Sequence, residues 1–323
     1  MPHAPCFTAF SRLLGSGLDG FRMTKGKQMT TARCGPTNTP PQVHVGDLAI
    51  TLLDGGELWL DGGAMFGIIP KPMWSKLTEV DEANRIPLAT TCLLVESGGK
   101  RLLVETGVGN RAKYSEKERN FFKFSRHWVV DSLQAIGVER GSIDYVIMTH
   151  LHFDHAGGGT MSDGRDGYET TFPNAKYVVQ RGEWEDATGG RAVMTATYRR
   201  ENLAPLEQAG VVSLVNGKAE IVPGVSVIPL AGHTMHQQGV VIESGGRRAV
   251  QPGDMLPTAA HVGLPYNMAY DLFPVDNMRN KETLLREGES GGWKLLLGQD
   301  PKQVAWSITT DEHGRFSLVT PPA

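Results

Sequence analysis

The sequence predicts an α/β (α+β) fold in which two mixed β-sheets pack face to face and helices cover their outer surfaces. Short strand patterns alternate with helical patterns, and this alternation occurs once in each half of the chain. Because an apolar sheet face must be buried against another layer, two such halves are expected to pack sheet against sheet. The 323 residues, of which 40% are apolar, are sufficient for a large core.

The first half contains short segments rich in β-branched and other apolar residues, which predict strands at 45–53, 90–96, 101–104, 145–149 and 176–180. Gly98 and Gly99 indicate a hairpin turn between the second and third of these strands. Ser125 is expected to cap a helix that runs through Ile136 and stops at Gly137. Another helical stretch begins near residue 183.

The second half repeats this pattern. Its predicted strands are 211–215, 225–230, 240–243, 248–251, 295–297, 304–309 and 316–319. A helix is expected near 277–289, and its apolar periodicity turns Leu284 and Leu285 towards the core.

The N-terminal segment has a different composition, with scattered Gly, Ser, Thr and Pro. We predict a flexible arm at 1–42 and a single domain at 43–323. A signal peptide is the alternative interpretation, but Arg12 interrupts the apolar run and no small-residue cleavage site follows. Met23 and Met29 are alternative starts.

The net charge, the apolar runs and the cysteine content indicate which partners and which compartment to expect. A net charge of −3 gives no electrostatic reason to expect nucleic acid or an anionic membrane as a partner. No apolar run approaches the length of a membrane-spanning helix. The three cysteines, Cys6, Cys34 and Cys92, are widely spaced and odd in number, which is typical of free thiols in a reducing compartment. We therefore expect a cytoplasmic protein.

Three histidines and an aspartate lie within six residues, directly after the predicted strand at 145–149: His150, His152, Asp154 and His155. Imidazole and carboxylate are the ligands that zinc and similar divalent ions prefer. His150 and His152 are two positions apart, so they point the same way if the chain remains extended. The alternative to a metal site is a polar loop whose histidines are adjacent by chance. That alternative does not explain why four potential metal ligands lie within six residues.

The motif His-X-His-X-Asp-His is the signature of the metallo-β-lactamase superfamily, and the chain resembles that family in three further segments. Residues 229–234 resemble its Gly-His-Thr turn, residues 250–254 its strand-end Gly-Asp, and residues 102–107 its strand followed by Asp-Thr-Gly. The resemblance covers about 43–310 in the family's order. It implies a four-layer αβ/βα sandwich whose metals lie at one edge, where strand ends from both halves meet.

The resemblance also implies two metal ions, expected to be zinc, with another divalent transition metal as an alternative. The implied ligands are His150, His152 and His233 for one ion, and Asp154, His155 and the bridging Asp254 for the other. A bound metal lowers the pKa of water enough to supply hydroxide at neutral pH. Asp154 is expected to relay a proton to the leaving group as well as to bind metal.

Two positions depart from the family pattern. Gln299 stands where the family has a final metal histidine, and an amide oxygen is a poorer zinc ligand than imidazole. We therefore expect unequal sites, one tight and one labile, with Gln299 a weak or absent ligand. Glu105 replaces the aspartate that orients a metal histidine from outside the ligand set, and we expect the extra methylene to be accommodated.

Within the superfamily, the chain most resembles the branch of N-acyl-homoserine lactonases, related esterases and parathion-type hydrolases. Residues 61–74 resemble the substrate-covering loop of that branch, and residues 84–88 lead into the next strand as they do there. Residues 254–261, followed by 268–271, resemble the segment that comes after the metal ligand Asp254. Substrate contact is accordingly expected from an apolar loop and from two polar ring side chains: Met65, Phe66, Trp74, His261 and Tyr266. Core packing is the alternative for the loop, and a purely structural role is the alternative for the last two.

The expected function is hydrolysis of a small lactone or ester, such as an acyl-homoserine lactone, by metal-activated hydroxide. The sequence leaves open a phosphotriesterase or arylesterase of the same fold. Because Gln299 replaces the last metal histidine, it also leaves open a member with one metal, such as a redox enzyme, and a degenerate scaffold that binds a small molecule without turnover. It also leaves open whether the chain forms a homodimer.

Overall fold

A computed structural model describes residues 40–190 and 196–321 and confirms the predicted α/β sandwich. In this part of the chain the strands are β1 (Gln42–Val45), β2 (Leu48–Leu53), β3 (Glu57–Asp61), β4 (Arg85–Ala89), β5 (Cys92–Ser97), β6 (Lys100–Val104), β7 (Tyr145–Ile147), β8 (Thr160–Ser162), β9 (Tyr168–Thr170), β10 (Lys176–Gln180), β11 (Val212–Val215), β12 (Ala219–Val222), β13 (Val225–Pro229), β14 (Gln238–Ser244), β15 (Arg247–Gln251), β16 (Lys294–Leu296), β17 (Ala305–Thr310) and β18 (Phe316–Val319). The α-helices are α1 (Gly62–Phe66), α2 (Lys71–Trp74), α3 (Glu116–Phe121), α4 (Val129–Ala135), α5 (Phe153–Ala156), α6 (Arg181–Thr188), α7 (Arg200–Gln208) and α8 (Pro274–Ser290).

Two seven-stranded sheets form the centre of the fold. Their strand orders are β1-β2-β5-β6-β7-β10-β11 and β12-β13-β14-β15-β16-β17-β18. The neighbours β6, β7, β10 and β11 are parallel, as are β15 and β16, whereas the other neighbours in each sheet are antiparallel. Both sheets are therefore mixed, as predicted.

Side-chain alternation along the strands produces separate inner and outer cores. Leu102 faces the other sheet, whereas its neighbour Leu103 faces the helices. The inner core contains side chains from both sheets, among them Val95, Ile147, Val225, Val240 and Ile242. Each fully buried side chain of this kind stabilises the fold by roughly 1.5–3 kcal/mol, so the core between the sheets holds the two halves together.

Helices cover the outer face of each sheet. Val129 and Leu133 of α4 pack on the first sheet, together with Leu203 of α7. Leu284 and Leu285 of α8 pack on the second sheet, which confirms their inward orientation. None of the helices in residues 40–190 and 196–321 has the length and apolar character needed to cross a membrane.

Two predicted elements have different bounds. The strand expected at 45–53 is a hairpin, because Gly46 adopts a φ of +55° and turns β1 back onto β2. Helix α4 begins at Val129 rather than after Ser125, because the Ser125 hydroxyl instead accepts a hydrogen bond from the Glu57 backbone N–H of β3. Residues 1–39 of the predicted arm, with Cys6 and Cys34, lie outside the described residues.

A lysine of α8 is completely buried. The Lys281 Nζ atom donates hydrogen bonds to the backbone carbonyls of His261, Gly263 and Tyr266, at 3.1, 3.3 and 3.0 Å. Burial lowers the pKa of Lys281 to about 8. This side chain therefore fastens the segment that follows β15 to the second helical layer.

We predict that Lys281→Met lowers the free energy of unfolding at pH 7 by about 1–3 kcal/mol, because three carbonyls lose their donor. Urea unfolding measures this change. The control is Lys117→Met on the exposed face of α3, which should remain within about 0.5 kcal/mol of the wild type. Equal stabilities of the two variants would contradict the role of Lys281.

The same variant tests the pKa of Lys281. Between about pH 8 and pH 10 the unfolded lysine binds more protons than the folded one, because the folded pKa is the lower. The wild type should therefore gain stability relative to Lys281→Met as the pH rises through this range. A constant difference would show that the lysine titrates normally.

Candidate metal centre

Two pairs of parallel strands bring the predicted site residues to one edge of the fold. In the first sheet Val104 of β6 pairs with Ile147 of β7, so Glu105 and the histidine motif leave the sheet side by side. In the second sheet Val250 of β15 pairs with Leu295 of β16, and Asp254 and Gln299 follow these strands. Parallel neighbours end at the same edge of a sheet, so four distant segments converge here.

Three histidines form one possible ligand group. His150, His152 and His233 are buried, and one ring nitrogen of each lies within 4.8 Å of the others. The His152 Nδ1 and His233 Nε2 atoms are 3.0 Å apart. The His150 Nε2 atom is buried without a hydrogen-bond partner in the described residues. A buried, unpaired ring nitrogen beside two further ring nitrogens fits a metal ion such as zinc.

The outer nitrogens of these rings are fixed by neighbouring side chains. The His150 Nδ1 atom lies 3.0 Å from the Thr149 hydroxyl, and the His233 Nδ1 atom lies 2.9 Å from the Asp271 carboxylate. Such partners orient a metal-binding ring and fix its tautomer. Burial lowers the pKa of both His150 and His152, which favours the neutral imidazole that can bind a metal.

Asp154, His155 and Asp254 form a second buried group. The His155 Nε2 atom is 3.1 Å from Asp254 Oδ1 and 3.6 Å from Asp154 Oδ2. Burial opposes ionisation of Asp254, but His155 and His233 outweigh it and lower the pKa of Asp254 to about 2. Asp254 also lies 3.6 Å from His233 Nε2, so its two oxygens face the two groups of predicted ligands.

Both departures from the family pattern contact this second group. The Gln299 Nε2 atom donates a hydrogen bond to Asp154 Oδ2 at 2.8 Å and lies 3.0 Å from His155 Nε2. The Glu105 carboxylate accepts hydrogen bonds from the backbone N–H and the hydroxyl of Thr149, and it lies 3.4 Å from His155 Nδ1. Glu105 therefore contacts His155 from the side opposite Asp254.

A model of the Metallo-beta-lactamase superfamily matches residues 85–299, which is more than half of the chain. The chain belongs to the metallo-β-lactamase superfamily. The structure of a probable metal-dependent hydrolase from Staphylococcus aureus is 32% identical and superposes with a TM-score of 0.79, covering 87% of this chain and 99% of the other. The superfamily match and this relative indicate a metal-dependent hydrolase.

Lactonases are also among the relatives of this superfamily member. An N-acyl homoserine lactonase of Bacillus cereus is 29% identical over 171 residues, which cover 50% of this chain and 61% of that protein. The lactonase AttM of Rhizobium johnstonii is 27% identical over 198 residues, covering 55% and 65%. The matched region thus spans less than two thirds of either relative. AidC, a dizinc quorum-quenching lactonase, shares the fold with a TM-score of 0.72 at 15% identity, covering 88% of this chain and 97% of AidC.

A buried glutamate that sequence reasoning missed connects the two histidine segments of this superfamily member. Glu183 of α6 accepts hydrogen bonds from the Leu151 backbone N–H at 3.0 Å and from the Tyr198 hydroxyl at 2.8 Å. Its other oxygen accepts from the Thr234 hydroxyl at 2.7 Å. Leu151 lies between His150 and His152, and Thr234 follows His233, so one carboxylate fixes the spacing of all three histidines.

Asp271 was also missed. Besides contacting His233, its carboxylate accepts from the Met268 backbone N–H at 3.0 Å and from the Asn277 amide at 3.2 Å. Glu183 is on a helical segment outside the motifs. Asp271 lies in the segment 268–271 that resembles the lactonase branch, but the resemblance did not indicate its contact with His233. Only the three-dimensional arrangement places them beside the histidines.

The residues expected to contact substrate lie in a packed aromatic cluster. Phe66 stacks on Trp74 with ring centroids 5.1 Å apart, and on His261 at 4.5 Å. Met65 is buried in the same cluster, and Tyr266 is half-buried at its edge. The His261 Nε2 atom lies 2.9 Å from the Met65 carbonyl. The cluster fastens α1 to the segment after Asp254. Of the side chains expected to contact substrate, only Tyr266 is partly exposed, and the other four are buried.

We predict that Glu183→Ala weakens zinc binding about 10- to 100-fold, because both histidine segments lose a shared acceptor. Competition with a chromophoric chelator measures the affinity. The matched control is Glu185→Ala, two positions along α6 and exposed, which should leave the zinc affinity unchanged. Equal affinities in Glu183→Ala and the wild type would show that the carboxylate does not position the ligands.

Removal of metal provides a separate prediction. A ligand that binds only the folded state stabilises it by about 2.7 kcal/mol when present at 100 times its dissociation constant. Chelator-treated protein should therefore melt at a lower temperature, and added zinc should restore the melting temperature. His152→Ala should remove this response. Identical melting curves with and without zinc would contradict a metal centre at these residues.

Proposed function

We propose that the protein is a metal-dependent hydrolase that opens a lactone or cleaves an ester, and that N-acyl-homoserine lactones are its substrate class. The observation that carries the proposal is the buried group of His150, His152 and His233 beside the carboxylates of Asp154 and Asp254. The similarity to N-acyl homoserine lactonases supports the choice of substrate.

The three histidines would hold a metal ion, which supplies a Lewis acid and lowers the pKa of water. Asp254 faces both His155 and His233 and would share its charge between the two groups. Burial raises the pKa of Asp154, so this carboxyl group can hold a proton more readily than an exposed aspartate. We assign to Asp154 the transfer of a proton to the leaving oxygen of the opened ring or cleaved ester.

Apolar side chains beside the centre would receive the acyl chain. Ile68 is 84% exposed, and Leu272 is 47% exposed. The Leu272 backbone N–H donates to the His233 carbonyl at 3.1 Å, which places this side chain next to a predicted ligand. The Ala269 N–H donates to the Ala64 carbonyl at 2.8 Å and thereby joins the Leu272 segment to α1, which directly precedes Ile68. We propose that Ile68 and Leu272, rather than the buried Phe66, contact the substrate.

We also propose a cytoplasmic location, which is supported by the odd number of cysteines and by the buried free thiol of Cys92. A small molecule is the proposed partner.

The substrate class is tested by following ring opening of an acyl-homoserine lactone with a pH indicator, in parallel with an aryl ester and a phosphotriester. We expect the lactone to have the highest kcat/KM, and a long acyl chain to be preferred over a short one. Leu272→Ser should reduce this chain-length preference. If the phosphotriester were turned over faster than the lactone, phosphotriesters would become the substrate class. If the zinc-loaded protein turned over none of the three compounds, a binding scaffold would be favoured.

Asp154→Asn should lower kcat by about 10²- to 10⁴-fold, because the amide cannot transfer the proton. Zinc content is measured on the same sample, so that loss of metal can be separated from loss of proton transfer. Asp166→Asn, in an exposed loop, is the control and should retain wild-type kcat. A metal-loaded Asp154→Asn variant with wild-type kcat would remove Asp154 from the mechanism.

A further inference from the structure

We infer that the Gln299 amide takes the place of a second metal ion, so that this chain holds one ion, at His150, His152 and His233. The inference rests on the metal-binding part of the proposed function. The sequence-based expectation was a labile second ion with Gln299 a weak or absent ligand, and a site with one metal was an alternative that the sequence left open.

The amide nitrogen lies against the atoms that would bind a second ion. Zinc ligands sit about 2.0–2.2 Å from the metal, so an ion held by Asp154 Oδ2, His155 Nε2 and Asp254 Oδ1 would lie among these three atoms. The Gln299 Nε2 atom is 2.8 Å from the first and 3.0 Å from the second. An amide N–H₂ group is a donor without an available lone pair, so in this position it donates to Asp154, lies against the His155 ring nitrogen and cannot bind a cation.

The chemistry of the surrounding groups favours the nitrogen in this position. Asp154 is a buried carboxylate, and such a group requires a donor or a cation. Turning the amide over would place its oxygen 2.8 Å from the Asp154 carboxylate oxygen, and the carboxylate would then lose this donor. The present orientation leaves the Gln299 Oε1 atom buried without a hydrogen-bond partner in the described residues. An unpaired neutral acceptor costs less free energy than an unpaired buried charge.

The backbone holds Gln299 firmly in this place. The Thr91 N–H donates to the Gly298 carbonyl at 2.9 Å, and the Ala89 N–H donates to the Gln299 carbonyl at 3.1 Å. The next residue, Asp300, accepts from the Ala259 N–H at 2.7 Å. Because both flanks are bonded to other segments, the amide is presented to Asp154 without a rearrangement of the loop.

In such a site, one metal ion would bind the three histidines and the Gln299 amide would position Asp154. Gln299 is a positioning residue for Asp154: it supplies the positive end of a dipole where a dinuclear site would supply a cation. Asp154 then remains beside the three histidines without being tied to a second ion.

The experiment counts metal ions per chain on the full-length protein, without substrate. Protein loaded with excess Co²⁺ and passed through a desalting column is assayed by elemental analysis and by electron paramagnetic resonance. We expect one ion per wild-type chain and two in Gln299→His, with a lower resonance intensity per ion in the variant, because two ions that share Asp254 couple magnetically. The matched control is Gln303→His, four residues further on and half-buried, for which we expect one ion.

Two retained ions in the wild type would overturn the inference, and so would one ion in a folded Gln299→His variant. If Gln299→His does not fold, Gln299→Glu serves in its place with the same expected count of two. The count is independent of turnover. Two ions with lactone hydrolysis would therefore refute only the role of Gln299, whereas one ion without hydrolysis would refute only the proposed activity.

Discussion

Parallel strand pairing at one edge of each sheet is the constraint on which the site depends. The β6–β7 pair delivers Glu105 and the histidine motif together, and the β15–β16 pair delivers Asp254 and Gln299. Because the two sheets pack face to face through one apolar core, these two edges cannot shift independently. The geometry of the candidate metal centre is therefore a property of the sandwich as a whole.

Buried charge at this edge is stabilised by directed hydrogen bonds rather than by solvent. Glu183, Asp271 and Glu105 each accept at least two hydrogen bonds, and each lies against a histidine or against a segment that carries one. Taking an isolated carboxylate out of water is costly, so such groups persist only where donors meet them. The outer carboxylates thus fix the histidines at the same time as the histidine segments satisfy the carboxylates.

The two departures from the family pattern, Glu105 and Gln299, differ in their effect on the site. Glu105 retains a carboxylate, and its longer side chain still reaches Thr149 and His155. Gln299 exchanges a ring that can bind a cation for an amide that donates a hydrogen bond to Asp154. At position 105 the negative charge is retained, whereas at position 299 an amide stands where the family has a histidine ligand. The group of His150, His152 and His233 is therefore complete, and the group of Asp154, His155 and Asp254 is closed by the Gln299 side chain.

The sequence by itself determined the fold class, the main strands and the grouping of His150 with His152, because strand periodicity and ligand spacing are local properties. The family resemblance added His233, Asp254 and the position of Gln299. Local pattern did not show the hairpin at Gly46 or the late start of α4, since a glycine turn and a competing bond from Glu57 decide them.

Only the tertiary structure decided which groups meet at the site. Glu183 lies outside every motif, and the family-like segment that contains Asp271 did not by itself indicate a contact with His233. Phe66 and Trp74 have the composition of an exposed apolar cover, but both are buried, with Phe66 stacked between Trp74 and His261. The direction of the Gln299 amide likewise depends on a carboxylate 145 residues away in the chain. These features arise from contacts between distant segments, and one sequence without its fold does not encode them in any local pattern.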